Sequence, residues 1–243
     1  MKNKLICGDN LEILSTMEEE SVDLIYIDPP FFSNRNYEII WGDEAEIRSF
    51  EDRWEGGINV YIDWMKQRVI ELHKVLKPTG SFYLHCDWHA SHYLKVMCDE
   101  VFGYNNFRNE IVWSYKRYTA KSNRFQRLHD VILFYGKSEH VIFNEPRDEY
   151  GAKSGKADSH YKLDEDGKWY RWQKRKGQEP YKIYLSEGKR IGDVWEIPII
   201  NASARERLGY PTQKPEALLE RIITVGSNKE DIILDIFCGC VRP

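Results

Sequence analysis

The chain has 243 residues, 42% of them hydrophobic, enough to bury a full core in one large domain or in one domain carrying an insertion. A formal net charge of −4 excludes a global basic field, so any nucleic-acid surface has to be local. No stretch reaches the roughly 18 apolar residues of a membrane span, and the cysteines Cys7, Cys86, Cys98, Cys238 and Cys240 form no C-x-x-C pair. A soluble, reduced, cytoplasmic protein without an export signal is expected.

In chain order, Lys4-Leu5-Ile6-Cys7 reads as a short strand ending at Gly8-Asp9-Asn10. Asp9 or Asn10 can then cap a helix over Leu11 to Met17. The apolar run Leu24-Ile25-Tyr26-Ile27 follows as a buried strand, and it stops at Asp28-Pro29-Pro30-Phe31, where two prolines remove two backbone donors. The corner that remains has only acceptors, is stiff, and is backed by an aromatic ring.

Such a corner suits an exocyclic amine on a flat ring. An aromatic amine is a poor nucleophile because its lone pair is delocalised. Two acceptors gripping its hydrogens, the Asp28 carboxylate and the Pro29 carbonyl, localise that pair while Phe31 stacks on the ring. The same tetrapeptide also reads as a plain turn after a strand.

Residues 33–57 are polar and read as a long loop, a length usually kept for lids or binding segments. The spacing Tyr61, Trp64, Met65, Arg68, Val69, Leu72, Leu76 predicts a helix that Lys77-Pro78-Thr79-Gly80 ends, followed by a strand over Ser81 to Leu84. His85, Cys86, Asp87, His89 and His92 lack clean metal-ligand spacing and read as strand-end polar residues, so no metal is expected. A helix from His92 to Val101 precedes a strand from Asn109 to Tyr115. Alternating strands and helices predict an α/β, doubly wound, mostly parallel sheet whose ligands lie beyond the strands' carboxyl ends.

The strand His129 to Tyr135 returns after a basic stretch, so Arg117, Lys121 and Arg124 lie on the loop of an antiparallel edge hairpin. This loop is a candidate phosphate-tracking surface or a merely solvated face. Residues 145–190 are polar, Gly-punctuated and aromatic, with Trp169, Arg171 and Trp172 prominent, and read as an inserted module with little core of its own. Finally Tyr210-Pro211-Thr212-Gln213-Lys214-Pro215 opens a helix over Glu216 to Val225, with Pro215 in its first turn. The strand Asp231 to Asp235 then runs into Ile236-Phe237-Cys238-Gly239-Cys240.

Together these segments resemble the DNA amino-methyltransferases of the permuted β group, with the catalytic motif first and the cofactor motif last. Asp28-Pro29-Pro30-Phe31 is similar to the catalytic motif, Gly8-Asp9 to an upstream cofactor contact, Pro211-Thr212-Gln213-Lys214-Pro215 to the signature before the last helix, and Asp235-Ile236-Phe237-Cys238-Gly239 to the start of the glycine loop. The resemblance implies a Rossmann-like methyltransferase fold, S-adenosylmethionine as cofactor, and a flipped base of double-stranded DNA as acceptor. It also implies cofactor contacts at Asp9, Thr212, Gln213, Lys214, Asp235, Phe237 and Gly239. DNA contacts would come from Arg117, Lys121, Arg124, Trp169, Arg171 and Trp172.

The domain division this implies is 1–112 for the catalytic part, 113–189 for the basic hairpin loop and target-recognition insert, and 190–243 for the cofactor part. Asp rather than Ser before the prolines leans toward adenine N6, with cytosine N4 as the alternative. A non-catalytic DNA-binding fragment and an unrelated nucleotide-binding α/β protein also stay open. A cognate restriction endonuclease and a homodimer are open as partners, and no membrane is expected. The family's glycine loop continues with a second glycine, a threonine, a helix, a strand and a ribose acid, whereas Val241-Arg242-Pro243 closes this sequence. The expectation is a methyltransferase cut short within its cofactor motif, with weak cofactor binding.

Overall fold

The computed structural model describes residues 3–33, 35–41, 46–52, 54–117, 121–148, 161–184, 189–210 and 212–238. In chain order the elements are α1 (Asn10–Ser15), β1 (Val22–Ile27), β2 (Arg35–Trp41), β3 (Glu46–Asp52), α2 (Ile58–Val75), β4 (Leu76–Cys86), α3 (Ser91–Phe102), β5 (Phe107–Ser114) and β6 (His129–Gly136). The short strands β7 (Arg147–Asp148), β8 (Lys162–Leu163), β9 (Trp169–Gln173), β10 (Tyr181–Tyr184) and β11 (Lys189–Arg190) come next. The chain ends with β12 (Val194–Glu196), α4 (Glu216–Gly226) and β13 (Ile233–Leu234). Two compact units result: Met1–Asn144 with Asp193–Pro243, and Glu145–Gly192.

The first unit holds a six-stranded sheet in the order β12-β5-β6-β4-β1-β13. β1 runs parallel to both β4 and β13, β12 runs parallel to β5, and β6 is antiparallel to its two neighbours. All six residues of β1 are buried, as a strand covered on both faces requires. On one face Ile25, Ile27, Phe82, Leu84, Val131 and Leu133 join the core of α2 and α3, to which α2 contributes Tyr61, Met65, Val69 and Leu72. On the other face α4 comes so close that a Cβ on Gly226 would stand 2.6 Å from Leu24 Cδ1 and 3.2 Å from a Tyr83 ring carbon. Helices on both faces make the sheet doubly wound.

Buried Asp23 ties the sheet's edge to its centre: it accepts from Lys77 Nζ at 2.8 Å and from the Ile232 N–H at 2.9 Å. Asn144 does the same for α4, its side chain donating to the Thr224 and Ser227 carbonyls. These charged and polar clamps lie on residues that show no hydrophobic pattern.

Four local expectations are corrected. Residues 4–7 form no strand, and Leu5 and Ile6 are exposed, because no neighbouring strand among the described residues offers them a ladder. The stretch 33–57 is not a plain loop: β2 and β3 pair antiparallel, with Tyr37 opposite Phe50, and the spacing Tyr37, Ile39, Trp41 held that period within a polar composition. Pro78-Thr79-Gly80 lies inside β4 as an irregularity, the register jumping from Val22 opposite Leu76 to Leu24 opposite Ser81. Pro215 is the N-cap of α4, one residue before its first turn. The hairpin β5–β6 lies next to the sheet edge, with the short strand β12 outside it.

The second unit carries the antiparallel trio β10-β9-β8 and the pair β11-β7. Its described strands are two to five residues long, in line with a module of little core. Among the described residues no helix is long and apolar enough to cross a membrane.

Candidate active site

Strand parity assembles the site. Leu24, Tyr26 and Asp28 share a face along and just beyond β1, as do Tyr83 and His85 in β4 and Asp130 and Phe134 in β6. The Tyr83 and Phe134 rings stack at 4.5 Å on that face. At its carboxyl end the parallel register carries Asp28 beside His85.

Asp28 is 18% exposed, and its two oxygens have different surroundings. Oδ2 accepts from Lys214 Nζ, which also donates to the Thr212 carbonyl at 3.2 Å and lies 5.1 Å from the centre of the Phe31 ring. Oδ1 is buried and accepts no hydrogen bond from the described residues. A buried carboxylate oxygen without a donor is costly, and its presence points to a donor that arrives with a ligand. Pro29 is buried, and the Pro30 carbonyl accepts from Tyr61 Oη at 2.7 Å, which anchors the corner on α2. Just past Phe31, Phe32 adopts φ 59°, a left-handed conformation unusual for an aromatic residue, so the chain turns sharply away from the site.

Behind Asp28 lies a polar chain. The Tyr26 hydroxyl is 2.9 Å from His85 Nδ1, and that same nitrogen is 3.6 Å from Asp28 Oδ1. His85 Nε2 lies 3.5 Å from Asp130 Oδ2 and, like Asp28 Oδ1, has no hydrogen-bond partner among the described residues, while Tyr115 Oη donates to Asp130 Oδ1 at 2.9 Å. The His85 ring is fully buried between Phe31, at 5.3 Å between centres, and Trp113, at 5.4 Å. Burial pushes the Tyr26 hydroxyl well above the usual phenol range, and Asp28, Asp235 and Asp130 push it further, so Tyr26 keeps its proton. Burial opposes ionisation of Asp130 as well, but its interactions with His85, then with the Tyr115 hydroxyl and Lys214, outweigh it and hold this carboxyl below the usual range.

Of the residues expected at the cofactor, Asp9, Asp235 and Phe237 lie around the start of α1, the middle of α2 and the end of β13. Asp9 Oδ1 caps α1 through the Leu11 and Glu12 N–H groups, and its Oδ2 lies 3.7 Å from buried Arg68. Arg68 donates to Asn10 Oδ1 at 2.7 Å, and Asn10 donates to the Ile236 carbonyl at 3.3 Å, which joins the three elements. Arg68 also stacks on Trp64, and Phe237 packs on the other reach of that ring at 5.8 Å. Asp235 accepts from the Phe237 N–H at 2.8 Å. Desolvation raises the Asp235 carboxyl to about 6, with Asp28 adding to the push against that hydrogen bond. Because the residue keeps an exposed edge, water tempers this shift. Gly239 lies outside the described residues.

The Thr212-Gln213-Lys214 turn, expected at the cofactor, makes its side-chain contacts with backbone and with Asp28. Both ends of the Gln213 amide are engaged with backbone, accepting from the Leu208 N–H at 2.7 Å and donating to the Glu206 carbonyl at 2.6 Å. Gln213 therefore braces the loop that delivers Lys214 to Asp28. Lys214 reaches the Asp28 carboxylate itself.

Of the residues expected at DNA, Arg117 lies over the Tyr115 ring at 4.8 Å, and Lys121 and Arg124 are exposed on the same loop. Trp169, Arg171 and Trp172 are exposed on β9 in the second unit, where Lys162, Tyr170, Arg171, Trp172 and Gln173 line an open cleft. The first group and the second belong to separate compact units. His85 and Cys86 point to opposite faces of β4, Cys86 into the core and His85 into the site, and Asp87 binds His89. Among the described residues no group of three His, Cys, Asp or Glu side chains could hold a metal ion.

Tyr26, Asp130, Tyr115 and Arg68 were not singled out from the sequence. The signal was present for one of them: Tyr26 stands two residues before Asp28, and period two alone puts both on one face.

A family model described as DNA methylase matches residues 22–240. The chain is 31% identical over 237 residues to the DNA adenine methyltransferase YhdJ of Escherichia coli (strain K12), covering 97% of this chain and 71% of that protein. It is 28% identical over 240 residues to the type II methyltransferase M.HpaI of Haemophilus parainfluenzae, covering 98% and 64%. In fold it is similar to the cytosine-N4-specific PvuII DNA methyltransferase, with a TM-score of 0.56 at 14% identity over 94% of this chain and 71% of the other. The structure of the M1.HpyAVI–SAM complex follows at 0.51 and 18%, covering 94% and 78%. With its Asp-Pro-Pro-Phe corner at the carboxyl end of β1 and a family match over nearly its whole length, the chain belongs to the DNA methylases of the N6/N4 amino-methyltransferase class.

Proposed function

We propose that the protein transfers a methyl group from S-adenosylmethionine to the exocyclic amine of a base flipped out of duplex DNA, with adenine N6 as the acceptor. The observation that carries this reading is Asp28 Oδ1, a buried acceptor without a donor at the mouth of an aromatic corner. The adenine specificity in the name of YhdJ supports the choice of N6, and cytosine N4, the specificity of the PvuII enzyme, is the second reading.

The residues around Asp9, Asp235 and Phe237 suit the cofactor, with an aromatic face for a purine and carboxylates for hydroxyl and ammonium groups. S-adenosylmethionine would supply an electrophilic methyl group on a sulfonium, the S–CH3 bond breaking as the N–C bond forms and a neutral thioether leaving. Asp28 Oδ1 and the Pro29 carbonyl accept the two amine hydrogens, which turns the nitrogen lone pair out of the ring plane, while Phe31 stacks on the base. Lys214 fixes the other Asp28 oxygen, so the carboxylate cannot rotate away. The proton released as the N–C bond forms passes to Asp28 Oδ1, and no stronger base is required.

Residues 113–189 are assigned to DNA, with the basic loop tracking phosphate and β9 reading bases. The names of the type II relatives support a cognate restriction endonuclease as a functional partner, and a homodimer is open to sedimentation analysis. The test is incubation with methyl-labelled cofactor and unmethylated bacterial DNA, followed by mass spectrometry of the nucleosides. N6-methyladenine is expected. N4-methylcytosine would move the specificity to the second reading, and absence of both would refute the transfer.

A further inference from the structure

We propose that Tyr26 and His85 form a positioning pair that keeps Asp28 Oδ1 open for the target amine. This rests on the methyl-transfer reading above. Asp28 and His85 are placed in potential conflict. His85 Nδ1 lies only 3.6 Å from Asp28 Oδ1, so an imidazole carrying its proton on Nδ1 would turn toward that oxygen and take the acceptor the substrate needs. Yet Oδ1 has no donor among the described residues.

Tyr26 resolves the conflict. Its hydroxyl stands 2.9 Å from the same nitrogen, and burial among carboxylates keeps it protonated, so it is a committed donor. A donor at Nδ1 forces that nitrogen to be the acceptor and sends the ring proton to Nε2. There the nearest acceptor is Asp130 Oδ2, 3.5 Å away and short of a hydrogen bond, on a carboxylate that the Tyr115 hydroxyl orients. The tautomer is thus set by the Tyr26 hydroxyl at Nδ1, and no ring hydrogen is offered to Asp28.

Packing makes the arrangement rigid. His85 is fully buried, with the Phe31 ring on one side and the edge of Trp113 on another, so the same imidazole also supports the ring that stacks on the base. A histidine serving only to fill the core would not need two carboxylates and a buried tyrosine hydroxyl around it. Tyr26 and His85 are 59 residues apart, brought together by the parallel pairing of β1 with β4.

The experiment combines kinetics with a direct reading of the tautomer. Tyr26→Phe keeps the ring and removes only the hydroxyl, so folding is preserved while Nδ1 becomes free to protonate toward Asp28. On the proposal kcat falls roughly 10- to 100-fold, as a misplaced reacting group costs, with KM for S-adenosylmethionine unchanged. His85→Asn, whose amide oxygen can replace Nδ1 toward Tyr26, retains more kcat than His85→Gln, which reaches only toward Asp130. In 15N spectra the His85 Nδ1 of the wild-type protein is unprotonated, and in Tyr26→Phe the proton shifts toward it. Wild-type kcat in Tyr26→Phe, a loss confined to KM, Gln rescuing better than Asn, or the same tautomer in both proteins would each overturn the proposal. If no methyl transfer is found in the wild-type protein, the transfer reading falls by itself. The 15N comparison still decides the pair.

Discussion

Lys214, on the turn before α4, bonds to Asp28, which lies 186 residues earlier in the chain at the end of β1. The bond joins the Asp-Pro-Pro-Phe corner to the turn that leads into α4. Both side chains are largely buried, at 12% and 18% exposure, so neither can trade its partner for water cheaply.

Removing this lysine therefore has two expected effects. Lys214→Met should lower kcat by about 10- to 100-fold, the equivalent of one charge-assisted hydrogen bond of ~1.5–3 kcal/mol. It should also lower the melting temperature, because the Asp28 carboxylate is left buried without its cation. Steady-state kinetics and thermal denaturation check both, and an unchanged kcat would make the pair purely structural.

Asp235 gives the site a pH signature. Its carboxyl is pushed up to about 6 by desolvation, an effect tempered by its exposed edge, so it gains negative charge as pH rises toward neutrality. S-adenosylmethionine is cationic at its sulfonium and ammonium, so affinity should rise as pH increases through about 6, and bound cofactor should in turn lower the Asp235 pKa. The stability linkage has the opposite sign. A raised folded-state pKa contributes stability that is full below the unfolded-state value and is lost as pH rises through the folded-state value. Calorimetric titration across this range, repeated with Asp235→Asn, should show a pH dependence that the variant lacks.

On the DNA side, charge reversal at Arg117, Lys121 and Arg124 should weaken binding to every sequence and flatten the salt dependence by about 0.9 in log–log slope for each phosphate no longer neutralised. Substitution at Trp169, Arg171 or Trp172 should instead change which sequence is preferred. Affinities measured over a salt series on several duplexes separate the two effects. Unchanged binding at every salt concentration would make the basic loop a solvated face.

The parts of the fold legible in the sequence were those with local signals. β1 is a continuous apolar run stopped by two prolines, α2 carries a clean helical stripe, and Asp9 is an N-cap whose side chain does bond the first turn of α1. What stayed hidden depends on pairing. The strand expected over residues 4–7 has a strand's composition but no neighbour, whereas β2 and β3 are polar in composition and pair with each other. In the site, Asp28 and Phe31 were readable because the motif is contiguous. Asp130, Tyr115 and the true partner of Lys214 were not, because β6 reaches His85 only through the sheet order, and a lysine in a cofactor-like signature gives no hint that it will bond a carboxylate at the other end of the chain.

The most direct test of the account is the behaviour of Asp28→Ala. The amine acceptor matters most as the nitrogen lone pair localises, so its loss belongs to the transition state rather than to DNA binding. The measurement is methyl transfer to unmethylated DNA alongside the equilibrium DNA affinity of the same preparation. The account predicts that transfer is abolished while affinity stays within a few-fold of the wild-type protein, and wild-type turnover in the variant would contradict it.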